Sequence, residues 1–252
     1  MNPVLETKGL QKHFGGIVVA DSVDLVLSEG RILGLIGPNG AGKTSLFNLM
    51  CGVVKPDSGS VTLDGKALHG LKIHERTQRG LSRTWQNLRL FSSLSVLDNL
   101  MLGTHRYPGG RLSSLAANWS GVQRAEAAAR DKALGILERI GLAHAARTRA
   151  TDLTFGQQKL VGVGRALMND VRCLLLDEPM AGVEGQSYRT MQQLVRDVAS
   201  NGIAVCVVEH NVAFIRELCD EGVFMFAGRV LARGTVEELI ADPRLTELYF
   251  GT

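Results

Sequence analysis

At 252 residues the chain is long enough for a sizeable buried core, as one large domain or two small ones. Its hydrophobic share is 45% and its aromatic share only 5%, which points to an aliphatic core of the α/β kind. A formal net charge of +3 is too small to argue for nucleic acid and helps only weakly toward an anionic membrane leaflet. No run of about 18 uncharged apolar residues marks a membrane span, and the start, MNPVLETKGL, has no apolar signal region. If the protein serves a membrane, another chain crosses it. Cys51, Cys173, Cys206 and Cys219 are scattered without CxxC spacing, so buried reduced thiols are expected rather than disulfides or a metal site.

Taken in order, residues 4–10 and 18–28 alternate apolar and polar and predict antiparallel strands. Between them Lys12-His13-Phe14-Gly15-Gly16 reads as a turn, with Phe14 a packed aromatic by default. The stretch Arg31–Ser45 holds an apolar strand, Ile32–Ile36, then a glycine-rich loop and a helix. Pro56, Gly59 and Gly65 punctuate a short strand, Ser60–Leu63, that ends in a hairpin-like Asp64-Gly65 turn. Residues 73–89 carry Arg76, Arg79, Arg83 and Arg89, read as a solvated basic face, with a phosphate or partner contact as the alternative. A helix is expected over 95–102, with Ser95 as cap and Asp98 in the capping-box place of Glu. Thr104 to Gly121 is irregular, a loop or broken helix. Val122–Ile140 is strongly helical, with Gly141 as its stop.

The second half alternates strands and helices. A helix over about 157–168 precedes the apolar run Val171–Leu176, which suits a central parallel strand buried on both faces. Helices over 186–200 and 211–219 flank a second such strand, Ile203–Val208. Val223–Phe226 and Arg229–Ala232 form a hairpin across Gly228, and the tail after Thr235 is two short helices broken at Asp242-Pro243. There is no internal repeat. The order implies a mostly parallel sheet with helices on both faces, an antiparallel β layer and a helical lobe.

The chemistry starts at Gly37-Pro38-Asn39-Gly40-Ala41-Gly42-Lys43-Thr44-Ser45, a G-x-x-x-x-G-K-T loop between a strand and a helix. Its glycines let the backbone close on a phosphate, and its amides join those of the helix start in an anion nest. Lys43 is placed to reach the β- and γ-phosphates, and Thr44 to put its hydroxyl on Mg²⁺. Downstream, the Val171–Leu176 strand ends in Asp177-Glu178-Pro179. Asp177 would hold Mg²⁺ through water, and Glu178 would face an attacking water as its proton acceptor. Strands of a parallel sheet end on one edge, so His210, closing the next strand, belongs to the same rim and contacts the γ-phosphate or that water. Gln86 can ligate Mg²⁺ or position water; alone it says little.

Taken together, GPNGAGKT, Gln86 after Thr84-Trp85, LTFGQQ, KPDSGSVTLDG, LLLDEP and His210 resemble the nucleotide-binding domain of ABC (ATP-binding cassette) ATPases, over essentially the whole chain. The LTFGQQ segment is the discriminating part. The resemblance implies one ABC-type phosphate-loop domain over 1–252: a RecA-like parallel core, an antiparallel β subdomain, a helical subdomain over about 88–165 and a helical tail over about 235–252. It implies ATP and Mg²⁺ as cofactors. It also implies roles. Phe14 stacks on adenine. Gln86 senses Mg²⁺ beside a membrane partner. Thr154, Phe155, Gly156 and Gln157 cap the γ-phosphate of ATP held by a second ATP-binding subunit. Glu178 is the general base and His210 the switch histidine. Met180–Glu184 runs across the dimer interface. The chain departs from the family in carrying Thr154 for the signature serine, Phe155 for a common glycine and Glu184 for the usual aspartate. The last puts the coupling between the two sites in question.

More narrowly, FGGIVVADSVDL, RTWQNLRLF, ERIGL, EHNVAFI and GTVEELIADPRLTELYFG are similar to the ATPases of bacterial branched-chain amino acid uptake systems. That resemblance implies an importer motor at the cytoplasmic face of the inner membrane, with a homo- or heterodimer partner, transmembrane permease subunits, indirectly a periplasmic solute-binding protein, and no nucleic acid. An export ATPase for lipid or lipopolysaccharide is the alternative. So is a soluble ABC ATPase acting on nucleic acid, although such chains usually carry a coiled-coil insertion or a second cassette. A regulatory module without hydrolysis is a further alternative, opposed by the intact Glu178 and His210.

Overall fold

A computed structural model describes residues 2–86, 90–105 and 119–250, the last of these without its side chain. Leu88 and Arg89, and residues 106–118 of the expected irregular segment, lie outside the described residues. Among the described residues the strands form two sheets. The first is antiparallel, in the order β2-β1-β4-β5, from β1 (Pro3–Phe14), β2 (Ile17–Ser28), β4 (Ser58–Leu63) and β5 (Lys66–Ala67). The pairing of Leu63 with Lys66 closes a two-residue turn at Asp64-Gly65, whose φ values of 46° and 70° suit the hairpin geometry expected there.

The second sheet runs β10-β9-β3-β8-β7-β6 and comprises β3 (Ile32–Ile36), β6 (Leu81–Arg83), β7 (Cys173–Asp177), β8 (Ala204–Val208), β9 (Glu221–Phe226) and β10 (Arg229–Gly234). All pairings are parallel except that of the edge strand β10 with β9. Every residue of β3, β7 and β8 is buried, the pattern of strands covered on both faces, and it explains why their sequences, apart from Asp177 at the end of β7, are apolar runs rather than alternations. Val208 pairs with Leu35 on one side and Asp177 on the other, so the carboxyl ends of these three strands lie level. A core of aliphatic side chains with one aromatic, including Leu5, Leu25, Leu46, Phe47, Leu175 and Val208, supports them.

The chain divides into two compact units. One holds both sheets with α1 (Lys43–Cys51), α2 (Ile73–Gln78), α7 (Val212–Leu218), α8 (Val236–Ala241) and α9 (Pro243–Phe250). The other comprises the described residues within Asn87–Asp170, together with Gly182–Leu194. It contains α3 (Val96–Met101), α4 (Trp119–Arg139) and α5 (Phe155–Ala166). The long helix α6 (Gly185–Ser200) contributes residues to both units. Within the helical unit, α4 buries Val122, Ala129, Ala133, Ile136 and Leu137, a stripe at helical spacing.

Three expectations are corrected. The helix expected from Val122 already begins at Trp119. Ser95 caps α3 by accepting from the Asp98 amide at 3.1 Å, but the Asp98 carboxylate takes the Ser95 hydroxyl at 2.6 Å instead of reaching back to the cap amide, being one carbon shorter than Glu. The basic face over 73–89 is not a solvated face at Arg76, which is buried, or at Arg83, whose side chain is 4% exposed. Arg76 donates to the carbonyls of Leu49 (3.1 Å) and Met50 (2.6 Å) at the C-terminal end of α1, where the helix dipole favours a cation. Arg83 belongs to the site described next.

Candidate active site

The loop between β3 and α1 is shaped by glycine. Gly37 and Gly42 have φ of 152° and 101°, and a Cβ at either would come within 2.1 Å of the Met225 carbonyl oxygen or 2.4 Å of that of Val19. No side chain fits at either position, so the loop can close only as bare backbone. Gly42 is also the N-cap of α1 and supplies no side-chain acceptor, so the first amides of α1 are left for another anion. Lys43, 6% exposed, turns back and donates to the carbonyls of Gly37 (2.6 Å) and Pro38 (2.8 Å). Burial lowers its pKa, against the opposing charges of Glu178 and Asp177.

Asp177 ends β7 beside this loop. One carboxylate oxygen faces the Thr44 hydroxyl at 3.5 Å, and the other accepts from Arg83 Nη2 at 2.7 Å. Arg83 is also held by Asn48 Oδ1 at 2.6 Å, and its guanidinium lies 4.5 Å from the Trp85 ring centroid and 5.5 Å from that of Phe47. The Arg83 and Asp177 side chains are 4% and 1% exposed. Arg83→Met therefore leaves a buried carboxylate unpaired, and we expect a stability loss of about 3 kcal/mol in urea unfolding. An unchanged midpoint would show that the pair carries no stability.

Glu178 follows at φ 50°, in the left-handed region that a residue with a side chain adopts at a cost, and its amide is anchored to the Val208 carbonyl at 2.9 Å. This turn lifts its side chain out of the strand. One oxygen accepts from the Gln86 amide nitrogen at 2.8 Å, and the other lies 3.1 Å from His210 Nε2. A carboxylate only accepts, so the His210 tautomer in this contact carries its proton on Nε2. Glu178, Gln86 and His210, far apart in the chain, thus meet on the rim that also carries Lys43, Thr44 and Asp177.

Phe14 does not pack into the core: it is 49% exposed, with the Lys12 ammonium 5.3 Å from its ring centroid. In the helical unit, Thr154 N-caps α5 in a full capping box: its hydroxyl accepts from the Gln157 amide at 3.3 Å, and the Gln157 side chain accepts from the Thr154 amide at 2.9 Å. This box does not use the amides of Phe155 and Gly156. Gly156 is close-packed, since a Cβ there would meet Ser187 Cβ at 2.8 Å. Phe155 is half exposed.

Two residues at the rim carry no role in the sequence reading. Arg83 looked like one of several surface arginines. Glu209, between the Ile203–Val208 strand and His210, is 4% exposed and binds backbone amides. The one local signal for Glu209 is a charge directly after the five-residue apolar run AVCVV; for Arg83 it is a place within the short strand β6.

A level parallel-sheet rim bearing a glycine-framed phosphate loop, an Asp-Glu strand end and a histidine defines a phosphate-loop ATPase. A model of the ABC transporter family matches residues 20–181. The chain is 33% identical to the high-affinity branched-chain amino acid transport ATP-binding protein BraF of Pseudomonas aeruginosa, over 99% of this chain and 98% of that protein. It is 34% identical to LivG of Salmonella typhimurium, of the same description, with the same coverage. It is 33% identical to the lipopolysaccharide export system ATP-binding protein LptB of Acidithiobacillus ferridurans, over 100% of this chain and 98% of that one. Among solved structures, it superposes on a nucleotide-free ATP-binding cassette of an ABC transporter with a TM-score of 0.86 at 31% identity, covering 99% of this chain and 100% of that one. The ADP conformation of the cassette MJ1267 gives 0.86 at 30% identity, with both chains covered completely. The chain belongs to the ABC transporter family and is an ATP-hydrolysing cassette of it. Among the described residues no helix is long and apolar enough to cross a membrane.

Proposed function

We propose that this chain is the ATP-driven motor of a membrane importer for branched-chain or chemically related amino acids. The observation that carries the hydrolytic part is the Glu178 carboxylate, held between Gln86 and His210 on the rim that bears Lys43 and Thr44. Gly37 to Ser45 cradle the phosphates with backbone amides, and Lys43 exchanges its two carbonyl partners for phosphate oxygens. Phe14 offers its exposed face to the adenine. Glu178 accepts the proton of the attacking water, for which one of its two present partners gives way, and His210 then steadies the γ-phosphate. The gain comes mostly from placement and charge.

Magnesium fits the donors present. Asp177 and Thr44 face each other, and no cage of three or more His, Cys, Asp or Glu side chains stands among the described residues. One carboxylate and one hydroxyl are what Mg²⁺ takes when phosphates and water fill the rest of its sphere. Asp177, Thr44 and the Gln86 amide would hold it, and it would supply charge stabilisation to the departing phosphate.

Two cassettes, alike or related, would close head to tail, the amides at Phe155 and Gly156 of one capping the ATP of the other, with Thr154 and Gln157 holding that helix start in shape. Closure would pull on permease subunits docked near Gln86 at the cytoplasmic face, and a periplasmic binding protein would deliver the solute. Nucleic acid has no part in this reading. The similarity to BraF and LivG supports import, and the comparable similarity to LptB supports an export reading as the second. Deleting the gene and following radiolabelled leucine separates them. We expect uptake to fall and lipopolysaccharide export to stay unchanged; intact leucine uptake with failed export would assign the chain to export.

A further inference from the structure

Glu209 is a buried acid whose partners are backbone. Its Oε1 accepts from the Met180 amide at 2.5 Å and its Oε2 from its neighbour, the His210 amide, at 3.1 Å. Burial pushes its carboxyl up, the amides of Met180, His210 and Asn211 pull it back, and the charge of Glu178 adds to the rise. A carboxylate at such a place costs more to bury than an apolar side chain of its size. What it joins is specific. Met180 opens the segment that leaves the Asp177-Glu178 strand end, and His210 is the side chain that meets Glu178. The carbonyl of His210 is held from the other side by the Tyr249 hydroxyl of α9, at 3.2 Å, and the Tyr249 ring rests against Phe224 with centroids 6.5 Å apart. The backbone of His210 is therefore pinned at both its N–H and its C=O.

We propose that Glu209 is a positioning residue for hydrolysis: its carboxylate ties the Met180 segment to the His210 backbone, so that the two walls of the Glu178 site keep one register. This rests on the proposed roles of Glu178 and His210. Neither partner is reachable through local sequence: Met180 lies 29 residues from Glu209, and Tyr249 lies 39 from His210. The family resemblance places the Met180–Glu184 segment at the interface of a cassette pair, and in such a pair the same tie would carry closure to the histidine. A glutamine at 209 keeps the size but has only one oxygen, and its NH₂ would confront an amide N–H.

The test is steady-state ATP hydrolysis by the full chain, with ATP affinity and thermal stability measured on the same samples. For Glu209→Gln we expect kcat to fall about tenfold with KM for ATP within about twofold, because a transition-state geometry is lost and a ground-state contact is not. Tyr249→Phe, which deletes one hydroxyl, is expected to lower kcat by about threefold under the same criterion. A kcat for Glu209→Gln near wild type would overturn the proposal. So would a loss of kcat matched by equal losses in affinity and melting temperature, the mark of a structural residue. Should Glu209→Gln not fold, Tyr249→Phe decides, and an unchanged kcat there overturns the pinning of His210. Glu178→Gln is run alongside: if it still turns over, the reading of the site has failed, whereas loss there with a wild-type Glu209→Gln fails this inference alone.

Discussion

Glu178→Gln is expected to bind ATP with near-native affinity and to hydrolyse it at least ~10²-fold more slowly, the range a positioned general base contributes. The substitution keeps the side chain's length and shape, and the strained φ of 50° at this position depends on backbone that does not change. The amide oxygen still accepts from one neighbour. Gln86, which now donates at 2.8 Å, can turn its own amide and accept from the new NH₂. What cannot be restored is the basicity: an amide takes no proton from water near neutral pH. The phosphate loop lies outside this exchange, so binding is spared. Phosphate release and nucleotide affinity measured on one preparation check both halves, and sustained turnover would remove Glu178 from the base role.

Lys43→Ala is expected to weaken ATP binding by about 10²-fold, from the loss of charge-assisted hydrogen bonds to phosphate worth ~1.5–3 kcal/mol each. The lysine already stands at the site. It is buried, it folds back onto the Gly37 and Pro38 carbonyls, and its pKa is depressed by desolvation. A charge kept in so dry a place gains much from an anion arriving beside it. Alanine leaves those carbonyls without the donor and the nest of amides without its cation, while Gly37 and Gly42 keep the loop's path. Calorimetric titration with a non-hydrolysable analogue reads the effect directly, and unchanged affinity would contradict the assignment.

The phosphate loop, the Asp-Glu strand end and His210 were legible in the sequence because each is local. Gly37–Thr44 is eight consecutive residues between a strand and a helix; Asp177 and Glu178 close one fully buried apolar run, and His210 stands two residues past the end of the next. Chain order, through the parallel-strand rule, was enough to put them on one rim. The Ser95 cap was legible too, but not the Asp98 contact, where a single methylene decides which partner is in reach.

Residue types and spacing along the chain by themselves determined that this protein is a phosphate-loop ATPase, which strands make its centre and which acids and histidine stand on the rim of the phosphate loop. Only the tertiary structure decided that Arg83 is the counter-ion of Asp177, that Arg76 closes the end of α1, and that Glu209 joins Met180 to His210. The reason is physical. A charged side chain looks the same in sequence whether it faces water or is buried, and its state is set by a partner folded in from elsewhere, 94 residues away for Arg83 and Asp177. Local patterns encode where the backbone turns and which faces are apolar; the pairing of buried charges exists only once those faces have met.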